Sequence, residues 1–100
     1  MKKARISRMD IAVGKAQSAD KCPVALGLLR DGGFSKVSVG KLSTYVASHR
    51  VIGGNWNWKK YKNGKKLYNW IGHFDNGKMK MGGSGFEVVF DDEKNEVEIV

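Results

Sequence analysis

The sequence predicts an α+β fold, a small single domain with a mainly antiparallel sheet and two short helices packed on it. Two stretches place apolar residues at helical spacing, and several others alternate apolar and polar residues as half-buried strands do. The 100 residues suffice for one modest core and contain no linker or internal repeat. We therefore expect residues 1–100 to form one α+β domain.

The N-terminal part predicts a strand followed by a short helix. Weak alternation over Lys2–Ser7 is typical of a first strand. Ser7 and Asp10 have the spacing of a capping box, which predicts one or two helical turns that stop at Gly14. The small polar residues of Lys15–Lys21 indicate a loop.

The segment Cys22–Gly33 predicts a nearly all-apolar helix, around which the fold is organised. Pro23 suits a first helical position, because the N–H that it lacks would be unpaired there. Asp20 or Cys22 would then be the N-cap, and the pair Gly32–Gly33 predicts a left-handed stop.

Two residues of this helix carry further expectations. Gly27 costs about 1 kcal/mol relative to alanine in a helix interior, which predicts that another backbone approaches it closely. Cys22 lies on the apolar stripe, so we expect a small buried residue rather than a reactive thiol. A single cysteine excludes an internal disulfide and favours an intracellular location.

The middle of the chain predicts two strands. Phe34–Val39 alternates clearly. Residues 41–52 fit a helical stripe but are rich in strand formers, so a strand with a bulge at Gly40 is the preferred interpretation. His49 has no acid or cysteine at metal-ligand spacing, and we interpret it as a surface residue.

A second amphipathic helix is predicted after Asn63, which would cap it. Its apolar positions recur at i, i+3, i+4 and i+7, and Asp75-Asn76-Gly77 would stop it. These positions are Leu67, Trp70, Ile71 and Phe74.

The C-terminal part predicts strands and turns only. Lys78–Met81 would be a short strand and Gly82–Gly85 a flexible turn. Phe86–Phe90 alternates as a strand, and Val97–Val100 would return as its hairpin partner after the turn Asp91–Asn95.

Charge is distributed unevenly along the chain. The net charge is +8 and the pI about 9.8, which favours anionic partners. Residues 1–80 hold 17 of the 18 Lys and Arg against four acids, whereas residues 81–100 hold Lys94 against six acids. If the acidic hairpin Phe86–Val100 exposes an edge strand, it predicts a homo-oligomer, most simply a dimer. Otherwise it neutralises the basic part internally.

The segment from Arg50 to Trp70 is the strongest candidate for a binding site. It contains six basic residues, no acid and five of the ten aromatic residues. Aromatic rings stack on bases at about 1–3 kcal/mol each, and lysines neutralise phosphates. The alternative is that the tryptophans are core anchors and the lysines a solvated rim. The predicted ligand-binding residues are Trp56, Trp58, Lys59, Lys60, Tyr61, Lys62, Lys65 and Lys66.

Signals for other functions are absent from the sequence. It has no hydrolase, zinc-protease or nucleotide-loop motif, and Gly82–Gly85 lacks the lysine and the hydroxyl residue of a phosphate loop. His49 and His73 have no evident partners for acid–base catalysis. We expect no enzyme activity, no metal and no cofactor. No apolar run reaches the length of a membrane span, and the basic N-terminus is not followed by a signal-peptide core.

Four short segments begin at Asp10, Cys22, Trp70 and Phe86 and read D-I-x-x-G, C-P-V-A-L-x-L, W-I-x-x-F-D-x-G and F-x-V. In this order they resemble a family of small, largely uncharacterised bacteriophage-encoded proteins. That family typically reads D-I-x-x-G, C-P-[IV]-A-L-x-L, F-I-x-x-F-D-x-G and F-x-F-x-[LV]. Trp70 replaces the first phenylalanine of the third motif, and the lysine- and tryptophan-rich residues 53–66 depart from the pattern.

The resemblance implies a phage accessory protein, with a counter-defence role as one form of it, in the cytoplasm of an infected bacterium. Combined with the basic aromatic segment, it predicts binding of nucleic acid or of a nucleotide signal. The alternative is a protein–protein inhibitor of a host defence nuclease complex such as CRISPR, because Trp, Tyr and basic residues also dominate protein interfaces.

Overall fold

A six-stranded sheet with helices on one face forms the described part of the chain. The computed structural model describes residues 2–50, 53–77 and 84–100. The strands are β1 (Lys2–Ile6), β2 (Lys36–Val39), β3 (Ser43–Arg50), β4 (Trp56–Asn63), β5 (Phe86–Asp91) and β6 (Glu96–Ile99), and the helices are α1 (Arg8–Val13), α2 (Pro23–Asp31) and α3 (Lys65–Asp75).

The sheet has the order β1-β5-β6-β4-β3-β2. Only the neighbours β4 and β6 run parallel among the described strands, and all the other pairs are antiparallel. The predicted α+β class with a mainly antiparallel sheet is therefore confirmed. The short α1 corresponds to the helical turns expected after the first strand.

The sheet has one covered and one open face. The covered face holds side chains such as Ile6, Val46, Val88 and Phe90, all at most 3% exposed. Gly27 of α2 lies against Ile6, and Trp70 of α3 packs on Phe86, which pairs with Ile6 in the sheet. The longer helices α2 and α3 therefore cover the same face, and no described helix covers the other.

The N-terminal capping box and the central helix agree with the prediction. Asp10 N–H donates to Ser7 Oγ at 3.1 Å, and Ser7 N–H donates to Asp10 Oδ2 at 2.8 Å. Of the two N-cap candidates for α2, Cys22 takes the position, and its Sγ accepts from the N–H of Ala25. Gly33, with φ of +74°, supplies the left-handed residue after the helix.

Gly27 is required where α2 crosses β1. A Cβ at this position would overlap Ile6 Cδ1 and lie 3.0 Å from the carbonyl oxygen of Arg5. The predicted close backbone approach is confirmed, and it explains why a helix interior tolerates glycine here.

The strand interpretation of the middle segment is correct, but the predicted bulge at Gly40 is wrong. Gly40 lies in the turn between β2 and β3, where its N–H donates to the carbonyl oxygen of Ser43. The irregularity lies between Ala47 and Arg50, where the pairing with β4 advances three residues on β3 and two on β4. Residues 51 and 52 lie outside the described residues.

Helix α3 begins one residue later than predicted, because Asn63 has another role. Asn63 is the last residue of β4 and is buried, with Thr44 Oγ1 donating to its side-chain oxygen at 2.7 Å. Gly64 is the N-cap and has no side-chain cap of its own. The predicted stop is confirmed, with Asn76 at the C-cap and Gly77 at φ +71°.

The C-terminal hairpin is present, but it is not an edge of the sheet. The expected strand Lys78–Met81 and the first two residues of the glycine-rich turn lie outside the described residues. β5 pairs with β1 and β6, and β6 pairs with β5 and β4. The edge-strand argument for self-association is therefore wrong, and a homo-oligomer stays an untested prediction.

Candidate functional site

Strand β4 divides the predicted binding segment between the two faces of the sheet. Successive side chains of a strand point to opposite faces. Trp56, Trp58, Lys60 and Lys62 therefore share the open face, whereas Lys59 and Tyr61 point toward the covered face. The cross-strand register confirms the division, since Lys59 pairs with buried Val46.

The open face displays two aromatic rings on neighbouring strands. Trp58 of β4 is 46% exposed, and Tyr45 of β3 is 39% exposed. Together with Ser38 of β2 they line a shallow concavity that crosses three strands. Neighbouring exposed rings form a contiguous apolar patch, which is typical of an interaction surface.

Lysines border these rings. Lys60 Nζ lies 5.9 Å from the centroid of the Tyr45 ring, and Lys36 Nζ lies 5.8 Å from the centroid of Trp56. Lys36 and Trp56 reach each other across β3, which explains why Ala47 is only 1% exposed on an otherwise open face. The sequences of β2, β3 and β4 contain no Asp or Glu, so the charged side chains that these three strands contribute to the face are all basic.

Lys59 and Tyr61 are occupied within the fold. Lys59 Nζ lies 2.7 Å from Asp92 Oδ1, and the Tyr61 hydroxyl donates to the same oxygen. Tyr61 is 6% exposed and packs edge-on against Phe90 at a centroid distance of 4.8 Å. The structure therefore places these two predicted ligand residues in the packing and pairing of the acidic hairpin, away from the open face.

The acid–base properties of this trio follow from their contacts. Burial, followed by the hydrogen bond to Asp92, raises the pKa of Tyr61. The hydrogen bonds from Lys59 and Tyr61 lower the pKa of Asp92, and the bond to Asp92 raises the pKa of Lys59. All three shifts keep the ion pair charged and the tyrosine neutral near neutral pH.

The remaining predicted lysines lie in two different places. Lys62 is exposed on the open face, paired in register with Ser43. Lys65 and Lys66 are exposed on the first turn of α3, a helix of the covered face. The structure thus joins Trp56, Trp58, Lys60 and Lys62 in one surface and leaves Lys65 and Lys66 on another element.

Sequence reasoning missed the residues that complete the open face, which are Lys36, Ser38 and Tyr45. They lie 11 or more positions before Trp56, on strands that only the sheet register brings beside β4. The alternation of Ser43, Tyr45 and Ala47 in one phase was the available signal. It was informative only once β3 was known to be a strand paired with β4.

A more enclosed cleft of about 190 Å³ lies away from this surface. It separates the loop around Gln17 from the C-terminal end of α3 and the β2–β3 turn, and it includes Cys22 and Lys41 in its lining. Asp75, at its rim, already accepts a hydrogen bond from the N–H of Gln17 at 2.8 Å. Burial raises the pKa of the Cys22 thiol, which disfavours the thiolate. The cleft is explained by the packing of these elements.

Within residues 2–50, 53–77 and 84–100, no three potential metal-ligating side chains lie close together. His49 and His73 are both exposed. None of the described helices is long and apolar enough to cross a membrane.

Fold and surface together define the chain as a small α+β protein with its longer helices on one face of the sheet and exposed aromatic and basic side chains of β2, β3 and β4 on the other. No family model, no curated protein and no solved structure matches it. The resemblance to small bacteriophage proteins therefore stays a prediction.

Proposed function

We propose that this chain is a non-enzymatic phage accessory protein whose open sheet face binds an anionic ligand that carries aromatic bases, a nucleic acid or a nucleotide signal. The observation that supports it most directly is the proximity of two exposed rings, Trp58 and Tyr45, on a sheet face that no described helix covers. The bases would stack on these rings, and Lys36, Lys60 and Lys62 would neutralise phosphates.

The division of β4 refines the predicted site. Trp56, Trp58, Lys60 and Lys62 belong to the proposed surface, with Lys36, Ser38 and Tyr45 added from β2 and β3. Lys59 and Tyr61 do not belong to it, because both bind Asp92 on the other side of β4. Lys65 and Lys66 would contribute only a general positive field.

Binding is measured by fluorescence anisotropy of a labelled 12-nucleotide single strand, and by tryptophan quenching with mononucleotides, over a salt series. We expect Trp58→Ala and Tyr45→Ala each to weaken binding about 5- to 150-fold, the equivalent of about 1–3 kcal/mol of stacking. Leu42→Ala is the matched control, because Leu42 is a 70% exposed apolar residue outside the concavity.

Two results would overturn the proposal. One is the absence of binding of either ligand by micromolar protein at low salt. The other is an equal affinity of the Trp58, Tyr45 and Leu42 variants, because exposed rings would then make no contribution.

A protein partner is the second candidate, since exposed Trp and Tyr beside a small concavity are also typical of interface hot spots. Affinity capture from a bacterial lysate treated with nuclease distinguishes the two. A stoichiometric host nuclease complex that is retained by the wild type and lost with Trp58→Ala would favour the inhibitor.

A further inference from the structure

The concavity on the open face is framed by two rows of side chains that are adjacent in the sheet. One row runs across β2, β3 and β4 as Lys36, Ala47 and Trp58. The next row runs as Ser38, Tyr45 and Lys60. Trp58 and Tyr45 are thus diagonal neighbours, a separation of about 7–8 Å between backbones that leaves room for a flat ring beside them.

Three polar groups around the concavity make no hydrogen bond within residues 2–50, 53–77 and 84–100. They are the Ser38 hydroxyl, the Tyr45 hydroxyl and the Trp58 indole N–H. Donors and acceptors of this kind, beside exposed rings, match the edge of a nucleobase, which carries both donors and acceptors.

The two lysines stand at opposite corners of the same frame. Lys36 is the β2 residue of the row that contains Trp58, and Lys60 is the β4 residue of the row that contains Ser38. Two strand spacings, about 10 Å, separate β2 from β4. A mononucleotide carries its phosphate on one side of the base, whereas a nucleotide within a strand has phosphates on both sides. The positions of Lys36 and Lys60 on opposite sides of the concavity therefore favour a single-stranded nucleic acid over a mononucleotide.

We propose that the concavity holds one unpaired base of a single-stranded nucleic acid, with Lys36 and Lys60 neutralising the phosphates on either side of that base. This inference rests on the proposed function and restricts it to single strands. We expect the concavity not to bind a duplex, because the bases of a duplex are stacked and paired and their faces are not accessible to Trp58 and Tyr45.

The first experiment separates base recognition from charge. The probes are a labelled thymidine 12-mer, an abasic 12-mer with the same phosphates, a 12-base-pair duplex and thymidine monophosphate. We expect the thymidine 12-mer to bind at least fivefold more tightly than each of the others at the same salt. Equal binding of the abasic strand would overturn the proposal that the concavity holds a base, because lysines alone would then account for the affinity.

The second experiment fills the concavity with a larger side chain and keeps every aromatic ring and every charge. Ser38→Leu places a larger side chain in the concavity, and Ser43→Leu makes the same change on the same face, in the next row beside Lys62. We expect at least a fivefold loss of thymidine 12-mer binding for Ser38→Leu and less than twofold for Ser43→Leu. Thermal unfolding of both variants verifies that they fold.

The lysines are tested by the salt dependence. For a single strand, each lost phosphate contact reduces the slope of log K against log salt by about 0.7. Lys36→Gln and Lys60→Gln should each do so, whereas Lys21→Gln, in an exposed loop, should leave the slope unchanged.

The experiments distinguish two hypotheses: that the concavity holds a base, and that the open face binds an anionic ligand. One outcome is that the wild type binds the 12-mer, Trp58→Ala weakens this binding, and Ser38→Leu and Ser43→Leu bind equally well. The proposal that the concavity holds a base is then wrong, whereas the proposed binding by the open face is supported. If the wild type binds none of the probes, both are wrong.

Discussion

Asp10 joins three parts of the N-terminal region through one carboxylate. It is 6% exposed, accepts from the N–H of Ser7 and lies 2.9 Å from Arg30 Nη2. Arg30 also donates to the carbonyl oxygen of Arg5, which ties α2 to the end of β1. Burial by itself raises the pKa of Asp10, but the hydrogen bonds from Arg30 and Ser7 outweigh it and hold the pKa below its ordinary 3.8.

Asp10 therefore makes the stability of the fold depend on pH in the acid range. Because its pKa is lowered in the folded state, its contribution is complete at neutral pH and is lost as the pH falls through the folded pKa. We expect Asp10→Asn to reduce the free energy of unfolding by about 1–2 kcal/mol at pH 7, and this difference to shrink toward pH 3.

Urea unfolding from pH 3 to 7 provides the measurement. Glu93→Gln, which removes a carboxylate from the exposed β5–β6 turn, is the control and should leave the stability nearly unchanged. A difference between wild type and Asp10→Asn that is constant with pH would show that the carboxylate charge is not involved.

At the scale of elements, helix α3 depends on a carboxylate from a distant strand. Its first turn contains Lys65 and Lys66 and no acid, an unfavourable arrangement for the positive end of the helix dipole. Glu98 of β6 compensates, because its side chain accepts from the N–H of Lys66 at 3.1 Å and of Leu67 at 2.8 Å. A Cβ at Gly64 would collide with this carboxylate.

We expect Glu98→Ala to cost about 1–2 kcal/mol of stability, because two N–H groups of α3 lose their acceptor. Gly64→Ala should have a cost of similar size, through displacement of the same side chain. Chemical unfolding followed by circular dichroism checks both, with Glu96→Ala of the same strand as the control. Equal stability of the Glu98 and Glu96 variants would contradict the capping role.

At the scale of the whole molecule, the acidic hairpin is built into the sheet and pairs one of its carboxylates with a lysine. It lies in the interior of the sheet, where Asp92 pairs with Lys59 and Glu98 caps α3. The outer strands β1 and β2 are the sheet's edges among the described strands. Both have contacts along their outer side: Arg5 N–H donates to Asp31, and Val39 N–H donates to the carbonyl oxygen of Ala19.

Aromatic residues on the two faces of the sheet have different roles: those on the covered face stabilise the fold, and those on the open face take part in the proposed binding. We expect Tyr61→Ala to cost about 3–5 kcal/mol, because it removes a core ring that packs on Phe90. Trp58→Ala should cost about 1 kcal/mol or less, since much of its ring is already in solvent.

Urea unfolding of both variants, together with strand binding, is the measurement. A loss of stability in Trp58→Ala as large as that in Tyr61→Ala would mean that the tryptophan is a core anchor, which is the alternative considered from the sequence.

Local chemistry was readable in the sequence wherever neighbours in the chain decide the structure. The capping box at Ser7, the helix start at Pro23, the close approach at Gly27 and the stop at Gly77 each depend on a few adjacent residues or on one glycine without a Cβ. Alternation likewise predicted the C-terminal hairpin.

Only the tertiary structure decided which side chains form the surface. Period-2 alternation puts Trp56 and Trp58 on one face, but the alternation alone does not say whether that face is covered. The helices decided it by packing on the other side, which buried Tyr61 and left Trp58 exposed. Strand order placed Tyr45 and Lys36 beside β4 and the acidic hairpin inside the sheet, because pairing between segments distant in sequence is set by how the whole core packs.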